Sequence, residues 1–354
     1  MAETDRKKVV LGFSGGVDSS VAALLLKEKG YEVHGLYFDV LPDPDGNTRK
    51  RAESCAETLG ISFTALDLSK RFEDTVIRPF CDTYFSGKTP NPCILCNPSF
   101  KFQILLEEAE RIRAYWIATG HYAALRKTER IVYVAKASNR EKDQSYMLCR
   151  LGQHILQRTI FPLSDYSSKE EIRKIALEAG LQNAAAKDSQ DICFIPDGSL
   201  QSFLSARKKT SVTGNFISPE GKILCAHAGQ ENYTIGQRKG LGIALGRPVF
   251  VKELAANGDV LLGDPQDLLC RNVLIENLFH TGTDALKGGR FKAKLRYTRQ
   301  EADCFLEPLD HGKALLMFEE GQRAPAPGQE AVLYKGDRIV CCGTICRREE
   351  EFHE

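Results

Sequence analysis

The chain has 354 residues, 42% of them hydrophobic and 27% charged; this suits a water-soluble globular protein but is too long for one typical core, so two or three domains are expected. A formal net charge of +1 excludes a uniformly basic surface, so any contact with a polyanion must come from local patches. The twelve cysteines are spread over a sequence with no signal peptide and no apolar run long enough to cross a membrane, which reads as cytoplasmic, reduced thiols and not as a disulfide scaffold.

Residues 9–13 form an apolar run that predicts a buried strand, and a helix follows over 19–29, stopped by Gly30. Next come a strand at 32–38, the Pro- and Asp-rich segment 41–46, a helix ending near Gly60, and strands at 62–66 and 116–119. This alternation predicts an α/β fold, a parallel sheet with helices on both faces and ligands at the carboxyl ends of its strands. Ser167 and Ser168, each with a glutamate three residues later (Glu170, Glu171), predict a capped helix that Gly180 ends. From about residue 202 the pattern changes to short strands and Gly-rich turns. Phe291, Ala293, Leu295 and Tyr297 alternate with Lys292, Lys294, Arg296 and Thr298, a period of two that sends apolar groups inward and basic groups outward. A hairpin is signalled by 331–334, the turn Lys335-Gly336-Asp337 and 339–345. The expected division is 1–201, a small β-rich central domain at 202–270 and a C-terminal β-barrel at 271–354, with the acidic tail 349–354 frayed.

Between the first strand and helix lies Ser14-Gly15-Gly16-Val17-Asp18-Ser19-Ser20. Glycines let the backbone approach an anion closely, and a helix opening at Ser19 and Ser20 offers its amides and positive dipole end to phosphate. The loop lacks the lysine of a Walker A sequence, since Val17 and Asp18 follow its glycines. The bland alternative is a Gly-rich turn with no ligand.

Two cysteine segments stand out. In Thr89-Pro90-Asn91-Pro92-Cys93-Ile94-Leu95-Cys96-Asn97 the prolines predict a stiff extended loop, ahead of a helix starting near Ser99. A thiol near a helix N-terminus is biased toward the nucleophilic thiolate; structural cysteines or a zinc site are the alternatives, although no second Cys-x-x-Cys or paired His motif completes a zinc set. The second segment, Lys187-Asp188-Ser189-Gln190-Asp191-Ile192-Cys193-Phe194-Ile195-Pro196, surrounds Cys193 with apolar residues, which taken alone suggests a core cysteine. If it faced Cys96, one thiol could carry a persulfide sulfur and the other resolve it as a disulfide.

The Ser14–Ser20 loop resembles the pyrophosphate loop of the ATP pyrophosphatases, which adenylate a substrate oxygen. The whole chain resembles the tRNA-specific 2-thiouridylases, which replace the C2 oxygen of a wobble uridine with sulfur. The resemblance rests on Gly12-Phe13-Ser14-Gly15-Gly16-Val17-Asp18-Ser19, the Thr89 loop, Ala118-Thr119-Gly120-His121-Tyr122, Lys142-Asp143-Gln144-Ser145-Tyr146, the Cys193 segment and Tyr233-Thr234-Ile235-Gly236-Gln237-Arg238-Lys239-Gly240-Leu241-Gly242. It implies an adenine nucleotide alpha hydrolase-like catalytic domain, Cys96 as nucleophile and Cys193 as persulfide carrier. It further implies ATP at Gly12, Phe13, Ser14, Gly15, Gly16, Val17, Asp18, Ser19, Phe38 and Gly120. It assigns tRNA to His121, Lys142, Asp143, Gln144, Arg296, Tyr297 and Gln329, and the target base to Asn91, Pro92 and Cys93. Many members carry Asp at the position of Cys93, and a thiol cannot simply replace that carboxylate.

The expected chemistry is adenylation of the uridine oxygen with magnesium and the loop amides holding pyrophosphate, Asp18 helping to hold the metal, and sulfur supplied by a persulfide donor or relay protein. Basic surfaces for tRNA phosphates are Arg207-Lys208-Lys209, Arg238-Lys239 and the face of Lys292, Lys294 and Arg296. Rival readings are an amide-forming ATP pyrophosphatase and an iron–sulfur cluster on Cys93, Cys96 and Cys193. A pure RNA-binding module leaves the Gly-Gly loop without a purpose.

Overall fold

The structure, a computed structural model, describes residues 5–43, 45–181, 183–184, 192–195, 199–207, 213–282, 287–298 and 300–348. Most of the Lys187–Pro196 segment, Lys208, Lys209 and the acidic tail lie outside them. The chain divides into two compact units: Met1–Ile77 with Cys93–Gln190 and Gly336–Ile339, and Arg78–Pro92 with Asp191–Lys335 and Val340–Glu354.

The first unit is built on five parallel strands: β1 (Asp5–Gly12), β2 (Glu32–Asp39), β3 (Ser62–Asp67), β4 (Ala114–Thr119) and, after the hairpin β5 (Ala124–Lys127) and β6 (Val132–Ala135), β7 (Thr159–Ile160). Their order is β3-β2-β1-β4-β7, with Gly12 in register with Leu36 on one side and Thr119 on the other. Successive residues of β1 point to opposite faces. Val9 and Leu11 join a core with α1 (Val17–Glu28), α2 (Asn47–Leu59) and, later in the chain, α4 (Lys169–Glu178). The other face, where a Cβ on Gly12 would lie 3.7 Å from Leu105, is covered by α3 (Phe102–Arg111). Helices therefore cover both faces, and the strand order reverses between β1 and β4, where open α/β sheets leave a crevice for ligands.

Local signals set the ends of these helices. Gly60 and Gly180 adopt left-handed conformations (φ 58° and 68°) just beyond α2 and α4. Ser168 caps α4 by accepting the Glu171 amide at 3.2 Å, while the Ser167 hydroxyl engages the Glu171 carboxylate.

The second unit holds two β modules. The smaller has β8 (Gly214–Ile217), β9 (Ile223–His227), β10 (Phe250–Leu254) and β11 (Val260–Gly263), in the order β10-β11-β8-β9. The larger is a six-stranded barrel, β12 (Leu269–His280), β13 (Gly289–Lys294), β14 (Ala302–Leu309), β15 (Lys313–Arg323), β16 (Glu330–Lys335) and β17 (Arg338–Arg348), closed by antiparallel pairing of β12 with β17. Closure removes exposed sheet edges. The period-two pattern holds for Phe291, Ala293 and Leu295, all buried, but β13 ends at Lys294, so Arg296 and Tyr297 lie on the bend and turn that follow instead of on the outward and inward faces of a strand. Among the described residues no helix is long and apolar enough to cross a membrane.

Ser168→Ala removes the cap of α4 and should cost about 1 kcal/mol of stability. A lower urea midpoint for the full chain, followed by circular dichroism, checks this.

Candidate active site

The end of β1 meets the start of α1 in a turn that only glycine can make. Gly15 has φ 70°, and a Cβ there would lie 2.6 Å from the Ala52 Cα. Gly16 is the N-cap residue of α1 in an extended conformation with no side-chain cap, so the loop supplies backbone to this helix end in place of a capping side chain. Around it, the Gly16 amide donates to Ser14 Oγ at 3.3 Å, the Ser14 and Ser19 hydroxyls lie 3.2 Å apart, and both Ser19 and Ser20 donate to the Gly16 carbonyl. Asn183, which the sequence reading did not single out, braces the turn by donating to the Gly15 carbonyl at 2.6 Å and to Ser20 Oγ at 3.0 Å. Phe13 and Val17 are buried and anchor the turn at both ends. Phe38, at the end of the neighbouring β2, is half-buried with its ring edge-on to Phe100 at 6.1 Å. Gly120 follows β4 so closely that a Cβ would lie 3.2 Å from the Asp18 carbonyl carbon and the Ser19 nitrogen. The ATP residues implied by the resemblance therefore assemble around one helix end at the β1/β4 reversal. Glycine backbone, two hydroxyls and a positive helix dipole form a donor set that fits a pyrophosphate.

Asp18 is not open to a metal on all sides. Lys169 donates to both of its carboxylate oxygens at 2.7 Å, and the Tyr122 hydroxyl donates to Oδ1 at 2.7 Å. A magnesium ion accompanying ATP would find the Ser14 and Ser19 hydroxyls, the phosphate oxygens and only the lone pairs of Asp18 that this network leaves.

The stretch after β4 supports the loop. His121 Nδ1 lies 2.8 Å from Thr119 Oγ1, and its ring stacks on Phe102 (6.2 Å, 17°) with Phe161 edge-on at 6.4 Å. Part of the residue reaches solvent, but burial of the ring, reinforced by the Lys101 charge, drives its pKa well below the ordinary 6.5, so the imidazole is neutral at pH 7. Gln144 holds Tyr122 by exchanging two bonds with its backbone, at 3.0 and 2.8 Å. Asp143 is buried and accepts from the Ala137 amide (2.9 Å) and the Ser145 hydroxyl (2.7 Å), while the Lys142 amide donates to Asn139 at 3.1 Å.

The thiol-bearing loop departs from expectation. Pro92 does not extend the chain but opens a helix: Pro92–Cys96 is helical and continues through a π turn at Asn97–Lys101 into α3. Proline suits the first helical position because its missing N–H has no partner to lose there. Cys93 and Cys96 therefore stand three positions apart on one helical stretch, and the helix begins at 92, not near 99. Both are half-buried.

In the second unit, Thr89 is gripped from both sides: its amide donates to the Pro327 carbonyl and its carbonyl accepts from Gln329 Nε2, both at 2.8 Å. Asn91 lies half-buried two residues on. Arg296 Nη2 donates to the Ile235 and Ala324 carbonyls at 2.8 and 2.9 Å, and Lys294 lies over the Tyr297 ring at 5.3 Å. Cys193 is exposed, contrary to the core cysteine its apolar setting suggests; the burial falls to its neighbours Phe194 and Ile195, and Phe194 packs edge-on against Phe80 at 5.1 Å.

Strand order and the Gly-Gly loop define a class: a nucleotide-binding α/β domain of HUP type, followed by β modules. Residues 7–197 match the family model of the tRNA methyl transferase HUP domain, 201–264 that of the tRNA methyl transferase PRC-barrel domain, and 271–345 that of an aminomethyltransferase beta-barrel domain. A tRNA-specific 2-thiouridylase MnmA 2 of Clostridium botulinum is 41% identical over 95% of this chain and 98% of its own length. A MnmA 1 of Caldanaerobacter subterraneus is also 41% identical, over 96% of this chain and 97% of its own. The chain belongs to the tRNA-specific 2-thiouridylase MnmA family.

The lowered pKa of His121 sets a pH dependence. The unfolded chain takes up a proton near 6.5 that the folded ring refuses, so the neutral ring's contribution to stability is complete above 6.5 and is lost as pH falls below it. His121→Asn should therefore flatten the fall in thermal midpoint between pH 7 and pH 5, measured by scanning fluorimetry beside the parent chain.

Proposed function

We propose that this protein uses ATP to activate the C2 carbonyl of a uridine in tRNA and replaces its oxygen with sulfur. The observation that carries the reading is similarity to 2-thiouridylases over nearly the whole chain. An amide-forming ATP pyrophosphatase would account for the Gly-Gly loop alone.

The chemistry follows from the difficulty of the reaction. A uridine carbonyl is a poor electrophile with a poor leaving group, and adenylation corrects both. The C2 oxygen attacks the α phosphorus of ATP and pyrophosphate departs; the amides at the start of α1, with Ser14 and Ser19, hold the pyrophosphate as its charge grows. Magnesium, when bound with ATP, neutralises phosphate charge. Gly12, Phe38 and Gly120 would shape the nucleotide site. Asn91, Pro92 and Cys93 would flank a base flipped from the anticodon loop, where unstacking costs little.

Sulfur comes from a persulfide on exposed Cys193, loaded by a donor or relay protein. In one branch its terminal sulfur attacks C2, AMP leaves with the original oxygen, and Cys96 then attacks the Cys193 sulfur, leaving 2-thiouridine and a Cys96–Cys193 disulfide that an external thiol must reduce. In the other, Cys96 first attacks the persulfide and releases a sulfide, which displaces AMP. Both branches need both thiols. Lys142, Tyr297, Arg238 and Lys239 are the proposed contacts for tRNA, and His121, Asp143, Gln144, Arg296 and Gln329 would shape the surface around them.

Incubation with tRNA, ATP, magnesium and a persulfide donor, followed by mass analysis of the nucleosides, should yield 2-thiouridine. Cys96→Ala and Cys193→Ala should each reduce the yield by at least about 10³-fold, the scale expected when a covalent step is lost. Near-normal product from either variant overturns the thiol assignments, and activity that tracks a stoichiometric iron–sulfur cluster replaces the persulfide route.

A further inference from the structure

Two charges near the loop call for an explanation: one opposes the anion proposed to bind there, and the other opposes its own helix dipole. Asp18 is the second residue of α1, at the end where the proposed function brings a polyanion. A carboxylate there suits the helix dipole but repels pyrophosphate. Lys169 is the first residue of α4, a position at which helices favour acidic groups; the next two residues, Glu170 and Glu171, obey that preference and Lys169 does not. It is also buried, its side chain 8% exposed, a state lysine adopts only with a partner. The placement of Lys169 is not explained by its own helix, and that of Asp18, though favoured by its helix, opposes the anion.

Each is explained by the other. The Lys169 ammonium lies 2.7 Å from both oxygens of Asp18, with Tyr122 fixing the carboxylate through a third bond. The ammonium also lies 5.8 Å from the centre of the Tyr122 ring, whose face favours a cation.

We propose that Lys169 is a positioning residue of the nucleotide site: its ammonium cancels the charge of Asp18, so that the start of α1 meets the triphosphate as a net donor surface. On this view Asp18 serves chiefly as the anchor of Lys169, and only secondarily as a metal ligand. The inference rests on the ATP-binding part of the proposed function and is independent of tRNA and of sulfur.

The test is calorimetric binding of a non-hydrolysable ATP analogue with magnesium to the full chain, without tRNA, so that failure of the thiolation reading leaves it interpretable. Lys169→Met exposes an uncompensated carboxylate and should weaken binding by about tenfold, the scale of one unpaired charge a few ångströms from a polyanion. Adding Asp18→Asn to that variant should recover several-fold of the loss, a coupling that a merely structural lysine would not give. Lys169→Arg, which keeps the charge, should stay within a few-fold of the parent. A double variant that binds no better than Lys169→Met, or a Lys169→Met chain that binds like the parent, overturns the proposal. Should Lys169→Met fail to fold by circular dichroism, Asp18→Asn alone decides: binding at least as tight as the parent supports charge cancellation, and weaker binding overturns it.

Discussion

The first unit is organised by one close approach. The end of β4 passes the first turn of α1 so closely that a Cβ at Gly120 would crowd the Asp18 and Ser19 backbone, while Ala52 of α2 leaves no room for a side chain at Gly15. Because β4 is parallel to β1 and lies beside it, the next residues emerge at the same end of the sheet. Tyr122 thus reaches Asp18, Asp18 holds Lys169, and Gln144 holds Tyr122. A single backbone contact orders a chain of polar groups spanning residues 18 to 169. Such a chain is stable only when every member has a partner, and Gln144 supplies one to the Tyr122 backbone.

What could be read beforehand was what is local. The apolar run of β1, the glycines after α2 and α4 and the serines before α4 act over a few residues, and each of these elements formed close to its expected position. The helix at Pro92 is not legible in the sequence because proline has two uses: it stiffens an extended segment, and it opens a helix. Nothing within Thr89–Asn97 decides between them; continuity with α3 does. The hairpin of β5 and β6 was also missed, since Ala124–Lys127 ends in two basic residues and has a weak alternating pattern.

Lys169 was invisible for a different reason. Its partner Asp18 lies 151 residues away in the chain, and a lysine opening a helix looks like an ordinary solvated charge until the fold brings the two together. Its signal was a mismatch with its own helix. Likewise, the grouping of Arg78–Pro92 with the second unit has no mark in composition; it follows from packing such as Phe80 on Phe194 and from the grip of Pro327 and Gln329 on Thr89.

The inward commitment of several side chains bears on how the proposed tRNA positions would work. Arg296 gives two hydrogen bonds to backbone carbonyls, and a bond from a charged donor contributes about 1.5–3 kcal/mol. To reach a phosphate with the same nitrogen it would have to break them and leave two carbonyls without a donor. Gln329, holding Thr89, and Asp143, buried with three protein donors, are bound in the same way. On the proposed function these residues act by shaping the surface presented to tRNA, a contribution that does not depend on salt. The salt-dependent part must come from cations that are not committed to carbonyl groups, and Lys292 is a weak candidate because Asp303 lies 3.6 Å from its ammonium. With a net charge of only +1 over the chain, those cations must be gathered in local patches, and the committed side chains contribute fit alongside them.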